Sequence, residues 1–148
     1  MPNKKALLKL ASLVEKIPDG RLDMRAVNKG KIDKKHPCGT SFCAMGLAGQ
    51  HPWFNKKGLC SNIQNEHDVF YGYRVNFSIN GVPLNFWDAA SNFFEIDGYT
   101  SFILFNPGYY PKFQASRKNV AKRLRWVAKN GNFIRESLKF NPHQRILP

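Results

Sequence analysis

Residues 36–49, HPCGTSFCAMGLAG, set Cys38 and Cys43 behind His36 and ahead of a run of small residues. Three chemistries suit side chains of these types. A zinc site could draw on His36, Cys38, Cys43, His51, Cys60 and His67, since thiolate and imidazole are ligands zinc favours. The spacing argues against it. Structural zinc sites pair ligands two to four residues apart, whereas long, uneven gaps separate Cys43 from His51 and Cys60. A cysteine nucleophile is the second chemistry. Cys43 would lie in the first turn of a helix, where the dipole lowers a thiol's pKa, but its base would have to be His51, His67 or His143, and no motif surrounds any of them. The third reading is structural. Gly39 permits an unusual backbone angle, Thr40 or Ser41 caps a short helix running through Ala48, and Cys43, Ala44, Gly46 and Ala48 let that helix approach a neighbour closely. It accounts for every small residue in the stretch. No catalytic residue, metal or cofactor is therefore assigned, and the chain reads as a binding protein sooner than an enzyme.

Charge says more about what is bound. The 148 residues carry a net charge of +13, unevenly spread. Residues 1–57 hold 12 Lys and Arg against 4 acids, residues 58–111 hold Arg74 against 5 acids, and residues 112–148 hold 10 bases against Glu136. Basic flanks around a mildly acidic centre suggest one charged face, because both ends of a small domain can lie on one side. Such a face attracts nucleic acid, an anionic membrane or an acidic protein, and charge alone does not choose among them. Three cysteines do not make a secreted disulfide framework. No apolar run reaches the ~18 residues of a membrane helix, and charges interrupt the N-terminal segment where a signal peptide would be apolar. A cytoplasmic protein that does not enter membranes is expected.

The elements that must position these residues follow from periodicity. Asn3 can cap a first helix whose Leu7, Leu10, Ala11 and Val14 share a face, and Pro18-Asp19-Gly20 stops it. In YRVNFSINGVPLNF, Val75, Phe77 and Ile79 alternate with polar residues, Asn80-Gly81 supplies positive φ, and Val82, Leu84 and Phe86 alternate on the return. This predicts a β-hairpin over residues 74–86, with a type I′ turn and Pro83 holding the second strand to an edge. WDAASNFFEI follows as a helix with Ala89, Ala90, Phe93 and Phe94 inward, stopped by Asp97-Gly98. Thr100 can cap a turn containing SFILF, and NPGYYP reads as an aromatic loop. Ser116 starts the last long helix and Gly131 ends it, with NFIRESLKF as one further short helix. The expected fold is α+β: one small domain, residues 1–148, of several helices packed on a small antiparallel sheet.

Within the last helix, Val120, Ala121, Leu124, Val127 and Ala128 share one face, and Lys118, Lys122, Arg125 and Lys129 lie opposite. Trp126 sits at the edge of that stripe, and Lys112, Arg117 and the pair Tyr109-Tyr110 precede it. A second basic block holds Lys29, Lys31, Lys34 and Lys35. Cations along a helix track phosphates, and neighbouring aromatics can stack on bases. Non-specific binding of nucleic acid, RNA or DNA, is the expected function. The expected site is Lys112, Arg117, Lys118, Lys122, Arg125, Trp126 and Lys129, with Lys31, Lys34 and Lys35. No helix-turn-helix, RNA-recognition or phosphate-loop motif adds sequence specificity. The alternatives are an interaction protein that docks on an acidic host protein, a minor virion component, and a cysteine- or zinc-dependent enzyme.

The order of features also resembles a diffuse family of small phage and prophage proteins. The matching residues are Leu7 to Ala11, Asp23-Met24, and Cys38-Gly39-Thr40 with Cys43 and Gly46. They continue through Ala89-Ala90, Phe93-Phe94, Leu104-Phe105 and Val120 to Leu124. Cys-Gly-Thr-x-x-Cys-x-x-Gly is the most specific phrase, and members often carry Trp after its glycine, where this chain has Leu47. The resemblance implies a phage-type accessory protein and supplies no catalytic residues.

Overall fold

The computed structural model of the chain describes residues 1–18, 22, 28–29, 41–61, 77–111 and 115–134. Its first element shows how local sequence becomes tertiary structure. Asn3 caps helix α1 (Lys4–Lys16) by accepting from the Ala6 amide at 3.2 Å. The same side chain donates to Phe93 O at 3.2 Å, and the Asn3 amide donates to Phe94 O at 2.8 Å. One residue thus satisfies orphan groups at the start of one helix and the end of another. Ala6, Leu7, Leu10, Ala11 and Val14 form the buried face, and Pro18 follows the Ile17 cap as expected.

The partner of that face is helix α6 (Arg117–Asn130), whose Val120, Ala121, Leu124, Val127 and Ala128 are buried. Among the described residues, α1 and α6 share more extensive packing than any other two elements. Ser116 caps α6 through the Asn119 amide at 3.2 Å, and Gly131, with φ +90°, closes it. Both ends match the expectation. Arg117, first in α6, donates to Ile17 O and, at 3.5 Å, to Glu15 O. The start of α6 is thereby tied to the end of α1, so the two helices run in opposite directions.

The two-cysteine segment differs from expectation at its start. Ser41–Phe42 form strand β2, which pairs antiparallel with β1 (Asn28–Lys29), so Ser41 does not cap a helix, and Thr40 lies outside the described residues. The cap is Cys43 itself, whose Sγ accepts from the Gly46 amide at 3.3 Å and opens α2 (Ala44–Gln50). A thiol is a weak acceptor and an uncommon cap, which is why the hydroxyls upstream drew the assignment. Helix α3 (Pro52–Lys56) follows, capped by His51 with Pro52 in its first turn. Close approach is realised at Gly49, where a Cβ would stand 2.6 Å from Ser61 Cβ and 2.9 Å from Ser61 N. The helix therefore lies directly on strand β3 (Leu59–Ser61).

Strands β3, β4 (Phe77–Ile79) and β5 (Val82–Leu84) form an antiparallel sheet in that order. Phe77 pairs with Leu84, Ser78 with Pro83 and Ile79 with Val82. Asn80 (φ +51°) and Gly81 (φ +81°) both have positive φ, as the type I′ turn requires, and Pro83 lies on the edge strand. Val75, expected on the same face, lies outside the described residues, as do residues 74 and 76. The return strand ends at Leu84. Phe86 is the first residue of α4 (Phe86–Phe94) because the Asn85 side chain accepts from the Asp88 amide at 2.8 Å and turns the chain into a helix.

Ala89, Ala90, Phe93 and Phe94 point inward as expected, but the helix stops earlier than Asp97-Gly98. Glu95 takes a left-handed conformation (φ +53°, ψ +48°) and closes it. Asp97 then caps α5 (Gly98–Phe105) through the Thr100 amide at 2.7 Å, so Asp-Gly opens a helix here. Thr100 is no cap: it is buried, and its hydroxyl accepts from the Phe133 amide at 2.9 Å. A short 3-10 turn over Pro107–Tyr109 follows. Phe54, Phe77, Phe86, Phe93, Phe94 and Phe105 pack ring against ring, with centroids 5.2–6.2 Å apart, joining α3, β4, α4 and α5 into one core. The α+β expectation holds: helices around a small antiparallel sheet.

Candidate nucleic-acid interface

Helix α6 presents Lys118, Lys122 and Lys129 to solvent, opposite its buried face. Arg125 forms a two-pronged, exposed ion pair with Glu15 of α1, one prong at 2.9 Å. The hydrogen bond from Arg125 holds the Glu15 carboxyl below its usual range, an effect that burial opposes. Both groups are substantially exposed, so the pair adds at most about 1 kcal/mol. Arg125 is thus engaged within the fold, as is Arg117 through the α1 carbonyls. The Trp126 ring stacks on Phe133 at 4.8 Å and 12°, which covers one of its faces. Lys112, Lys31, Lys34 and Lys35 lie outside the described residues.

Sequence reasoning missed a second group of lysines, on α1. Lys5, Lys9 and Lys16 of α1 fall on the side turned away from its buried residues, and Lys5 and Lys16 are exposed. Their separations of four and seven residues were the available signal. Farther along, Lys57 lies over the Trp53 ring with its ammonium 5.0 Å from the centroid. Among the described residues, every Lys and Arg with a placed side chain lies on α1, α3, the α3 cap or α6. Asp88, Glu95 and Asp97 instead lie on α4 and at the junction of α4 with α5, the elements beneath α1 and α6. Among the described residues the placed cations thus gather on helices α1 and α6 and on α3 with its cap, with Glu15 as the one acid on those helices.

One cation turns inward. Arg123 is 4% exposed and donates from Nη1 to Ile103 O at 3.0 Å. Its guanidinium lies 3.9 Å from the Tyr110 ring centroid. The Tyr110 hydroxyl donates to Leu104 O at 2.7 Å, and the Asn106 amide donates to Phe102 O. Three of the last carbonyls of α5, which carry its negative dipole end, are therefore satisfied by a cation, a phenol and an amide. Burial lowers the Arg123 pKa, an effect opposed by Tyr110, and burial pushes the Tyr110 phenol up. Tyr110, expected beside the stripe in a loop, is thus a core residue. On a helical wheel Arg123 falls about 60° or less from Val120 and Val127, and that placement could have marked it as buried.

The cysteine chemistry finds less support in the geometry. Cys43 is buried with its sulfur turned to the Gly46 amide. Among the described residues no three His, Cys, Asp or Glu side chains converge where a metal could be held. Cys38, His36, His67 and His143 lie outside the described residues. His51 Nδ1 accepts from the Trp53 amide at 3.1 Å, so the cap requires an unprotonated Nδ1.

That cap makes a prediction about pH. Burial, and secondarily Lys9, lower the His51 pKa from 6.5. A depressed folded value favours the neutral ring, so its stabilisation is full above the unfolded value and is lost as pH falls through the folded one. Thermal unfolding should show the loss beginning as pH drops below about 6.5 and reaching about 1 kcal/mol, the worth of an N-cap. His51→Asn keeps an acceptor without titrating and should remove that component. An unchanged pH profile in the variant would assign it to another group.

No helix among the described residues is long and apolar enough to cross a membrane. Comparisons of the chain with known protein families, with curated proteins and with solved structures find no match, so the chemistry of this face is read from its own residues.

Proposed function

We propose that the protein is a small, basic, phage-type accessory protein of the host cytoplasm that binds nucleic acid through the phosphate backbone. The observation that carries the reading is the set of exposed lysines on α6, Lys118, Lys122 and Lys129, on the side of the helix away from its buried face, with exposed Lys5 and Lys16 on α1. Exposed lysines along rigid helices attract phosphate without reading bases, so affinity should fall steeply with salt and vary little with sequence. Lys118, Lys122 and Lys129 are the residues to test, because Arg125 and Arg117 already serve contacts within the fold.

Replacing those three lysines with Gln should preserve the fold, since all three are exposed. It should reduce the slope of log K against log salt by about 2.7, the equivalent of three phosphate contacts. Fluorescence anisotropy with generic RNA and DNA across a salt series measures it. Unchanged binding in the variant sinks the reading. Absence of nucleic-acid binding together with capture of an acidic protein would favour the docking alternative.

A further inference from the structure

The turn that closes α6 builds a platform beside the lysines of that helix. Gly131, with φ +90°, reverses the chain at the end of α6. Phe133 then passes beneath Trp126, and its amide donates to the buried Thr100 hydroxyl at 2.9 Å. The two rings lie nearly parallel, 12° apart in plane, with centroids at 4.8 Å. Phe133 is 4% exposed while Trp126 is partly exposed, so Phe133 is the inner ring and the second face of Trp126 is turned away from the core. Among the described residues no other ring and no cation packs on Trp126. The other two tryptophans are placed differently. Trp53 has Lys57 over its ring and Phe54 against it, and Trp87 lies on Phe102 beside the exposed carboxylate of Asp88, which repels phosphate.

Cations bracket that ring along the helix. Lys122 stands one turn before Trp126 and Lys129 one turn after, about 6 Å and 4.5 Å along the axis and within about 60° of it around the helix. Both are exposed, as is Lys118 a further turn back. A nucleotide within a strand has the same order: a flat base, with a phosphate on either side of its sugar. The lysines alone suit any polyanion, but an indole face suits only a base whose own face is open. In a duplex each base is covered above and below by its neighbours. In a single strand bases splay onto aromatic side chains while cations track the backbone. We infer that α6 takes single-stranded nucleic acid, with one base stacked on the outer face of Trp126 and its flanking phosphates on Lys122 and Lys129. The inference rests on the reading under Proposed function and narrows its ligand. Every base has a face to stack, so the expected indifference to sequence is kept.

The test uses the full chain and one labelled mixed-sequence DNA oligonucleotide over a salt series. It is offered as the single strand, as its duplex, and as a single strand of equal length that is abasic throughout and so keeps the charge without the bases. At equal salt the intact single strand should bind about tenfold tighter than either of the others, within the worth of one stacked base. Trp126→Leu keeps an apolar cover on Phe133 and should lower single-strand affinity by about tenfold. It should leave the salt slope and the affinity for the abasic strand unchanged, whereas a ring needed only for the fold would weaken all three ligands alike. Trp126→Phe keeps a ring and should retain single-strand affinity within about threefold. Because a stacked base quenches indole emission, the same variant should lose most of the quench that the single strand produces in the parent. Equal or tighter binding of the duplex or the abasic strand overturns the inference, as does an undiminished quench in Trp126→Phe. Either result leaves the nucleic-acid reading standing if replacing Lys118, Lys122 and Lys129 still weakens binding. Absence of binding to all three ligands overturns both.

Discussion

Arg123→Ala should destabilise the protein by about 3 kcal/mol. The truncation leaves the buried Ile103 carbonyl without its donor, at a cost of about 1–3 kcal/mol. It also removes the cation from the Tyr110 ring, worth up to about 2 kcal/mol when desolvated. The lost stem leaves a cavity in a site that is 4% exposed, and large-to-small changes of that kind cost about 2–5 kcal/mol. Relief from holding a guanidinium out of water opposes these losses by several kcal/mol, which keeps the net below their simple total. Arg123→Met separates the two sides, because it fills much of the volume without charge or donors. It should recover about half of the loss. A Met variant as stable as the parent, by denaturant midpoint at unchanged slope, would mean that the carbonyl and ring contacts contribute nothing net.

Gly49→Ala should destabilise by about 2 kcal/mol, although alanine is the better helix former by about 1 kcal/mol. The added methyl carbon would stand 2.6 Å from Ser61 Cβ and 2.9 Å from the Ser61 amide nitrogen, with Phe77 Cε1 at 3.1 Å. Two of those three neighbours are fixed by the backbone of β3, so the clash cannot be relieved by rotating a side chain. Helix α2 must lift off the strand, and overpacking of this sort costs about 1–3 kcal/mol beyond the propensity gain. A midpoint that rises in the variant would show that the helix shifts freely and that the close approach is incidental.

How much of this was legible in advance divides along a physical line. Features set within a few residues could be read: the Asn3 and Ser116 caps, the apolar faces of α1 and α6, and the Asn80-Gly81 turn. Each is fixed by neighbours in sequence. Asp97-Gly98 was legible as a break and misread in direction, because the same pair that disfavours a helix interior also caps one. Cys43 was placed on a helix whose cap was sought among hydroxyls. The inward turn of Arg123 depends on the carbonyl end of α5 and the Tyr110 ring, which only the assembled fold supplies. That α6 covers the apolar face of α1 depends on which helices become neighbours, and periodicity within either helix cannot say that.

The partnership of α1 with α6 also sets a schedule for making the protein. The Arg117–Ile17 contact closes a separation of 100 residues, and Arg125–Glu15 closes one of 110. Chains emerge from the ribosome at about 5–20 residues per second, so α1 waits about 5–20 s for α6 to be synthesised. Throughout that interval Leu7, Leu10 and Val14 lack α6, their main partner, while α2, the sheet and α4 can already assemble. The nascent chain therefore carries an uncovered apolar helical stripe, with Lys5, Lys9 and Lys16 on its other side. Those lysines repel neighbouring nascent chains of the same kind and act as gatekeepers against their association until the last helix arrives.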